Sequence, residues 1–187
     1  MVFEDDLMKE IETKILEFDE INLKKTLEKV NAEYIGKHLL KRVVFDLMPY
    51  TSEQDEFFRV RTNGEKTSLT WKYRDNRKTS TDNTEELEVF VSDFDKTVEI
   101  ISKLWKGITP YKQESKIEKW NYLGVEIAIC TWPLIPPFLE LEAESEDKIL
   151  EVIKKLEIKG EVIGNKNLAG VFERYGQKGK DAGDLKF

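Results

Sequence analysis

Short segments with a charged residue at every second position recur along this chain. Glu10, Glu12 and Lys14 alternate with apolar or β-branched residues, and on a β-strand this spacing places all three on one face. Later segments repeat the pattern with cations at Arg59, Arg61 and Lys72 and with carboxylates at Glu86, Glu88, Glu140 and Glu142. The alternate positions are mostly apolar, which indicates a sheet whose charged side has a function.

Two kinds of chemistry are open to such a charged side. Buried charges of opposite sign can pair with one another, because an isolated buried charge is very costly. Alternatively, the cations bind phosphate oxygens and the carboxylates hold Mg²⁺ or Mn²⁺, which prefer oxygen ligands and are often shared with a substrate phosphate. Such a metal would neutralise the phosphate and polarise it for in-line attack. The pattern alone leaves both readings open.

Composition narrows the class of protein. A chain of 187 residues fits one domain, predicted over residues 1–175, with a flexible Gly/Lys/Asp-rich tail over 176–187. The net charge of −7 argues against stable nucleic-acid binding. The single cysteine, Cys130, excludes an internal disulfide and fits a reducing compartment. No apolar run approaches about 18 residues, so we expect a cytoplasmic protein without a membrane partner.

The periodicities predict an alternation of strands and helices. Strands are predicted at 7–17, 34–48 (one or two strands), 57–62, 67–74, 85–91, 111–121, 124–131 and 138–144. Helices are predicted at 20–32, 94–106, 146–157 and from Lys166 to about 175. Asn63-Gly64 predicts the tight turn of a β-hairpin, and residues 49–56 and 75–84 are expected to be loops.

This order predicts an α+β fold, because hairpin-like links and few helices do not suit a doubly wound sheet. The economical arrangement is an eight-stranded antiparallel β-barrel with a charged lumen, flanked by about four helices. A closed barrel of about eight strands has room for its side chains and one small ligand.

The same residues resemble a known family. Glu10-x-Glu12-x-Lys14 is similar to the ExExK signature of the CYTH, or triphosphate tunnel metalloenzyme, family, and the likeness extends over about residues 7–175. ExExK alone is a weak pattern, but the ordered set with Arg59-x-Arg61, Lys72 and Glu140-x-Glu142 is specific. The resemblance implies an eight-stranded antiparallel tunnel that binds a triphosphate. Family members include class IV adenylyl cyclases, thiamine triphosphatases, inorganic triphosphatases and RNA triphosphatases.

The resemblance also implies roles for individual residues. It assigns a metal, Mg²⁺ or Mn²⁺, to Glu10, Glu12, Glu140 and Glu142, joined by Glu88 or Glu86. It assigns the triphosphate to Lys14, Arg59, Arg61 and Lys72, with Lys41 and Lys166 as further candidates. Glu12, Glu142 and Lys72 are the expected catalytic residues. The expected substrates are ATP, tripolyphosphate and thiamine triphosphate, and the expected state is a monomer or homodimer.

One stretch departs from the family pattern. Ser115 and Ile117 stand where the family commonly carries two cations, and Cys130 stands where it often carries an aspartate. A thiol does not replace a carboxylate for Mg²⁺, whereas Lys116 or Lys119 could replace the cations. Two functions therefore stay open: an enzyme that hydrolyses a triphosphate or cyclises ATP to cyclic AMP, and a non-catalytic module that binds a nucleotide or polyphosphate.

Overall fold

The strands and helices follow the predicted order, with one additional strand. The computed structural model describes residues 11–47, 54–75, 84–177 and 184–187. Within these ranges the elements are β1 Ile11–Leu16, α1 Glu20–Lys29, β2 Glu33–Asp46, β3 Gln54–Thr62, β4 Thr67–Asp75, β5 Thr84–Val91, α2 Phe94–Leu104, β6 Tyr111–Tyr122, β7 Val125–Thr131, β8 Phe138–Ala143, α3 Glu146–Lys155, β9 Glu161–Gly164 and α4 Leu168–Arg174.

The nine strands form one antiparallel sheet in the order β5-β4-β3-β2-β6-β7-β8-β1-β9. The α+β class and the antiparallel pairing are confirmed. The predicted number of eight strands is wrong, because β9 pairs with β1 at the end of the sheet. In the described residues β5 and β9 end this order, so closure into a barrel is not confirmed.

Gly160 allows the chain to enter β9 close to β1. Its φ of 155° belongs to the region that favours glycine, and a Cβ at this position would collide with the Leu16 carbonyl oxygen. The segment is too short and too mixed in polarity to have been predicted as a strand. Its pairing with β1 therefore depends on a contact between residues far apart in the sequence.

The chain divides into two compact units, and the division falls within β2 and β6. Unit 1 comprises Met1–His38 and Lys116–Asp181, and unit 2 comprises Leu39–Ser115 and Ala182–Phe187. In unit 1 the apolar faces of β1, β7 and β8 pack against α1 and α3. This core includes Ile15, Ile127, Leu139, Leu141, Leu23, Leu27, Ile149 and Val152.

In unit 2 the strands have a smaller core against α2. Val43, Phe45 and Val60 are buried with Ile101 of α2. In these two cores the apolar strand positions face helices, and the alternate positions carry the charged residues discussed below. The predicted separation of charged and apolar faces is therefore confirmed there. On β5, by contrast, the apolar residues Leu87 and Val89 are exposed.

Each helix begins at a capping side chain. Asp19, Asp93, Ser145 and Asn167 accept hydrogen bonds from backbone N–H groups in the first turns of α1, α2, α3 and α4. The cap at Asn167 corrects the start of the last helix, which is Leu168 rather than Lys166. None of the described helices is long and apolar enough to span a membrane.

Two segments expected to be irregular are ordered by pairing. Gln54, Asp55 and Glu56 belong to β3 rather than to a loop, and the Glu56 carboxylate accepts a hydrogen bond from Trp71 Nε1 at 2.9 Å. Leu185, in the predicted flexible tail, is buried and forms a parallel bridge with Gln113.

Candidate functional site

In unit 1, strand register places the predicted carboxylates side by side. Glu12 of β1 lies opposite Glu142 of β8, and Glu142 lies opposite Glu126 of β7. One step along the strands, Lys14 lies opposite Glu140. Directly opposed residues of antiparallel strands share a face, so the structure brings these charges together on the side away from the helix-packed core.

Lys14 is the buried cation of this face. Only 5% of its surface is exposed, its Nζ makes an ion pair with Glu12, and it lies 3.5 Å from Glu140 Oε1. One ammonium group thus serves two carboxylates, as expected when charges of one sign outnumber the other. Glu10 lies outside the described residues, and its predicted role stays a prediction.

Two charged residues of this face were not among the predicted site residues. Glu126 alternates with Val125 and Ile127, and this local signal could have identified it. It makes an ion pair with Lys119 of β6. Lys119 lies opposite Ala128 and so shares the face with Glu140, whereas Lys116 lies on the helix-packed face. Lys116 and Lys119 were the two lysines of β6 that could replace the missing cations, and only Lys119 lies on the charged face.

Ile117 and Cys130, two of the residues that depart from the family pattern, also lie on the charged face. Ile117 lies opposite Cys130 and continues the row of positions that contains Lys119. The Cys130 thiol is buried and donates a hydrogen bond to Glu140 Oε2 at 3.5 Å. The neutral side chains at these positions therefore reduce the charge available on this face.

In unit 2, the predicted phosphate-binding cations share one face of β3 and β4. Arg59 lies opposite Thr70 and Phe57 lies opposite Lys72, so the alternate residues Arg59, Arg61 and Lys72 point to the same side. The described contacts of these cations with carboxylates of β5 are Arg59–Glu86 at 4.0 Å, Arg61–Glu88 at 3.5 Å and Lys72–Glu86 at 2.8 Å.

The carboxylates of β5 are held by these contacts. Thr70 donates a hydrogen bond to Glu88 at 2.7 Å, so Glu88, a predicted metal ligand, is engaged with Thr70 and Arg61. Burial alone would raise the pKa of Glu86, but the hydrogen bond and charge of Lys72, with the nearby arginines, outweigh burial and lower it. Glu86 is therefore ionised at neutral pH.

For Arg59, burial and a neighbouring like charge act in the same direction on the pKa. Burial lowers the pKa of its guanidinium, and the like charge of Arg61 lowers it further. Its Nε atom is buried and has no hydrogen-bond partner in the part of the chain that the structure describes. The Arg59 site therefore has unused capacity to hold an anion.

Lys41 does not lie with these cations. It lies opposite Thr62 on the side of β2 that carries Val43 and Phe45, so its place among the phosphate-binding residues is corrected by the register. The adjacent Arg42 lies on the cationic face instead, directly opposite Arg61. A shift of one residue along a strand reverses the face, and sequence periodicity could not place the strand with that accuracy.

Lys166 is exposed in the short connection between β9 and α4. It directly precedes Asn167, the residue that caps α4. No contact of Lys166 with the predicted carboxylates or cations is described, and its role stays a prediction.

The metal site also stays a prediction. Among residues 11–47, 54–75, 84–177 and 184–187, no three acidic, histidine or cysteine side chains are arranged to hold a metal ion. Glu12, one of the predicted metal ligands, contacts the Lys14 ammonium. The donor chemistry is nevertheless that of a hard cation, because the residues in register are carboxylates.

Comparison with known proteins supports the fold. No family model and no curated protein matches this chain. It is similar to a solved conserved hypothetical protein from Pyrococcus furiosus, with 24% identity, a TM-score of 0.61 and coverage of 80% of this chain and 91% of the other. It is also similar to a candidate adenylate cyclase from Vibrio parahaemolyticus, with 9% identity, a TM-score of 0.62 and coverage of 88% and 97%.

A third similar structure is a candidate adenylyl cyclase from Hippeastrum with a dominant triphosphatase activity. The identity is 12% and the TM-score is 0.59, with coverage of 90% of this chain and 95% of the other. These likenesses, together with the site residues in their expected order, show that the chain has the CYTH, or triphosphate tunnel metalloenzyme, fold. At such low identities the likeness concerns the fold alone.

Proposed function

We propose that this protein is a divalent-metal-dependent enzyme that acts on a triphosphate, with hydrolysis as the main reaction and cyclisation of ATP as the close competitor. The observation that carries the proposal is the register of β1 and β8, which places Glu12, Lys14, Glu140 and Glu142 on one face. The solved structures with the same fold include the Hippeastrum protein with a dominant triphosphatase activity, and this supports the choice of hydrolysis.

Glu12, Glu140 and Glu142 of unit 1 would hold the metal, Mg²⁺ or Mn²⁺, with Glu10 as a further ligand. Carboxylate oxygens are the ligands that both ions prefer. When bound, the metal would neutralise charge on the phosphate and make its phosphorus more electrophilic. Because Glu12 and Glu140 contact Lys14, this lysine is well placed in unit 1 to bind a phosphate oxygen beside them.

The cations of unit 2 would bind and orient the phosphate chain. Arg59 and Arg61 can each present several N–H donors to phosphate oxygens, and Lys72 adds a point charge. Hydrolysis then requires an attacking water, whereas cyclisation requires the ribose 3′-hydroxyl at the α-phosphate. The charged tunnel implied by the family resemblance is part of this proposal, and both reactions use the same residues.

A second function is favoured by a specific observation. Ile117 and Cys130 occupy positions of the charged face for which the family resemblance implies a cation and an aspartate. A face with less charge could bind a nucleotide or polyphosphate without turning it over. This alternative predicts stabilisation by the ligand in the absence of product.

The deciding experiment incubates the protein with tripolyphosphate, ATP and thiamine triphosphate, each with Mg²⁺ or Mn²⁺. Released phosphate and cyclic AMP are measured separately, and the unfolding temperature is recorded with each ligand. We expect phosphate release from at least one substrate, and its loss by about 100-fold or more in Arg59→Gln, as when one group that stabilises the transition state is removed. Lys103→Gln removes a charge from an exposed position of α2 and should leave the rate unchanged.

Three outcomes separate the hypotheses. Phosphate or cyclic AMP that depends on Arg59 supports the enzyme. Ligand-dependent stabilisation without product supports the binding module and contradicts the enzyme. Neither product nor stabilisation, with all three ligands and both metals, contradicts both and favours charged faces that only pair internally.

A further inference from the structure

The cationic face of unit 2 contains an arginine that has no role in the proposed function so far. Arg42 of β2 lies directly opposite Arg61 of β3, and Arg59 lies one position further along the same face. Like charges directly opposite one another destabilise a sheet. Three guanidinium groups on adjacent strands are therefore costly unless negative charge compensates them.

The described carboxylates of β5 contact Arg59, Arg61 and Lys72. Glu86 is shared between Lys72 at 2.8 Å and Arg59 at 4.0 Å, and Glu88 contacts Arg61 at 3.5 Å. At the other end of the face, Asp46 lies directly opposite Phe57 and accepts a hydrogen bond from the Tyr111 hydroxyl at 3.3 Å. Asp55 lies one position beyond Phe57 on the same face.

Arg59 has a donor atom that these contacts leave unused. Its Nε atom is buried without a hydrogen-bond partner among the described residues. Burial, followed by the charge of Arg61, disfavours its positive form. A bound anion would accept the unused N–H and would offset the like charge of Arg61.

Arg42 is held in this face by a residue of β6. Its Nη2 atom donates a hydrogen bond to Ser115 Oγ at 2.6 Å, and Ser115 is 3% exposed. The small serine side chain leaves the guanidinium room beside position 115, and the hydrogen bond restricts its orientation. Positive charge is thus present next to Ser115 although β6 itself carries a neutral residue there.

We infer that Arg42 is a further polyphosphate-binding residue, held by Ser115 and acting with Arg59 and Arg61 on one anionic ligand. This inference rests on the proposed function, because it takes the ligand to be a triphosphate. It also reverses the assignment on β2, since the phosphate-binding cation of this strand is Arg42 and not Lys41.

The test measures tripolyphosphate binding by isothermal titration calorimetry in EDTA, so that binding is read without turnover. We expect Arg42→Gln to raise Kd about 10-fold or more, which corresponds to about 1.4 kcal/mol. Arg42→Lys keeps the charge and should retain most of the affinity. Lys41→Gln removes the neighbouring charge on the opposite face, and its effect should not exceed that of Lys103→Gln.

A rescue variant separates binding from a structural role. Ser115→Lys in the Arg42→Gln background returns one cation to the same place and should recover at least half of the lost binding free energy. A residue needed only for packing would not be rescued in this way. Should Arg42→Gln fail to fold, Ser115→Ala leaves the arginine in place and removes only its hydrogen bond, and it should raise Kd about three-fold or more.

The outcomes distinguish this inference from the proposed function. In one outcome, Arg59→Gln abolishes tripolyphosphate binding but Arg42→Gln leaves it unchanged. This overturns the role of Arg42 and leaves the proposed function standing. The same holds for an unchanged Ser115→Ala where that variant is used. Absence of binding by the unaltered protein overturns both. Affinity that falls equally in Arg42→Gln and Lys41→Gln indicates a general effect of net charge and also overturns the inference.

Discussion

At the scale of single residues, the charged faces are built from ion pairs in which one group often serves two partners. Lys14 serves Glu12 and Glu140, and Glu86 serves Lys72 and Arg59. Such sharing divides the charge of one group between two partners. It also means that a ligand can replace a partner without leaving a buried charge isolated, which is the cost that makes broken buried pairs so destabilising.

The position of Cys130 gives a prediction about charge on the face of unit 1. Cys130→Asp would place a carboxylate beside Glu140, whose Oε2 lies 3.5 Å from the thiol sulfur. Without divalent cations we expect the free energy of unfolding to fall by about 3 kcal/mol or more, because a buried charge is added next to a like charge. Mn²⁺ should recover much of this loss by neutralising the carboxylates.

Urea denaturation with and without Mn²⁺ measures this effect. Cys130→Ser, which is similar in size and neutral, is the matched control. Equal responses to Mn²⁺ in the two variants would show that Glu140 and its neighbours do not hold a divalent cation.

At the scale of the elements, an ion network joins helix α1 to strand β6 within unit 1. Glu118 lies 2.9 Å from Lys24 of α1 and 3.2 Å from Lys37 of β2, and its side chain is 11% exposed. Burial would raise the pKa of Glu118, but the two lysines lower it overall. The network holds the helix against the face of the sheet that carries Trp120, which packs edge-to-face on Tyr34.

The lowered pKa of Glu118 determines how its contribution depends on pH. Because the folded pKa lies below the unfolded value of about 4.3, the contribution is complete above that value and is lost as the pH falls through the folded pKa. Glu118→Gln should therefore reduce the free energy of unfolding by about 1–3 kcal/mol at pH 7. Below about pH 4, the free energies of unfolding of the variant and the unaltered protein should differ less.

Thermal or urea unfolding from pH 3 to pH 7 tests this prediction. Glu99→Gln breaks an exposed pair with Lys103 in α2 and should cost no more than about 0.5 kcal/mol at any pH. A Glu118→Gln deficit that stays constant across this range would show that Glu118 acts by packing rather than by charge.

At the scale of the whole molecule, the chain returns at its end to unit 2. Residues Lys116–Asp181 belong to unit 1, but Ala182–Phe187 belong to unit 2 with Leu39–Ser115. The return is fixed by two backbone hydrogen bonds, from Leu185 N to Lys112 O at 2.8 Å and from Glu114 N to Leu185 O at 2.7 Å. The last residues therefore contribute to the unit that carries the cationic face.

Leu185→Ala tests how much the packing of this last segment contributes to the free energy of unfolding. Its side chain is 2% exposed, and truncation of a buried leucine costs about 2–4 kcal/mol. We expect a loss of that size in urea unfolding. Lys186→Ala, next to it and exposed, should change stability by less than about 0.5 kcal/mol. Equal effects of the two substitutions would show that the segment does not pack as described.

The sequence by itself determined which residues share a face within one strand. Alternation alone placed Glu12 with Lys14 and Arg59 with Arg61, because neighbouring side chains of a strand point to opposite sides. Local chemistry also identified the four described helices within a few residues of their ends. It identified the hairpin as well, in which the Asn63 side chain accepts hydrogen bonds from the backbone N–H groups of Glu65 and Lys66. These features depend only on residues close together in the chain.

Only the tertiary structure decided which faces lie opposite one another. The rows Glu12–Glu142–Glu126 and Arg42–Arg61 depend on the register between strands, and so do β9 and the bridge to Leu185. Register is set by packing and by pairing between distant segments, and a change of one residue exchanges Lys41 for Arg42. That is why periodicity could find the charged strands but could not find their partners.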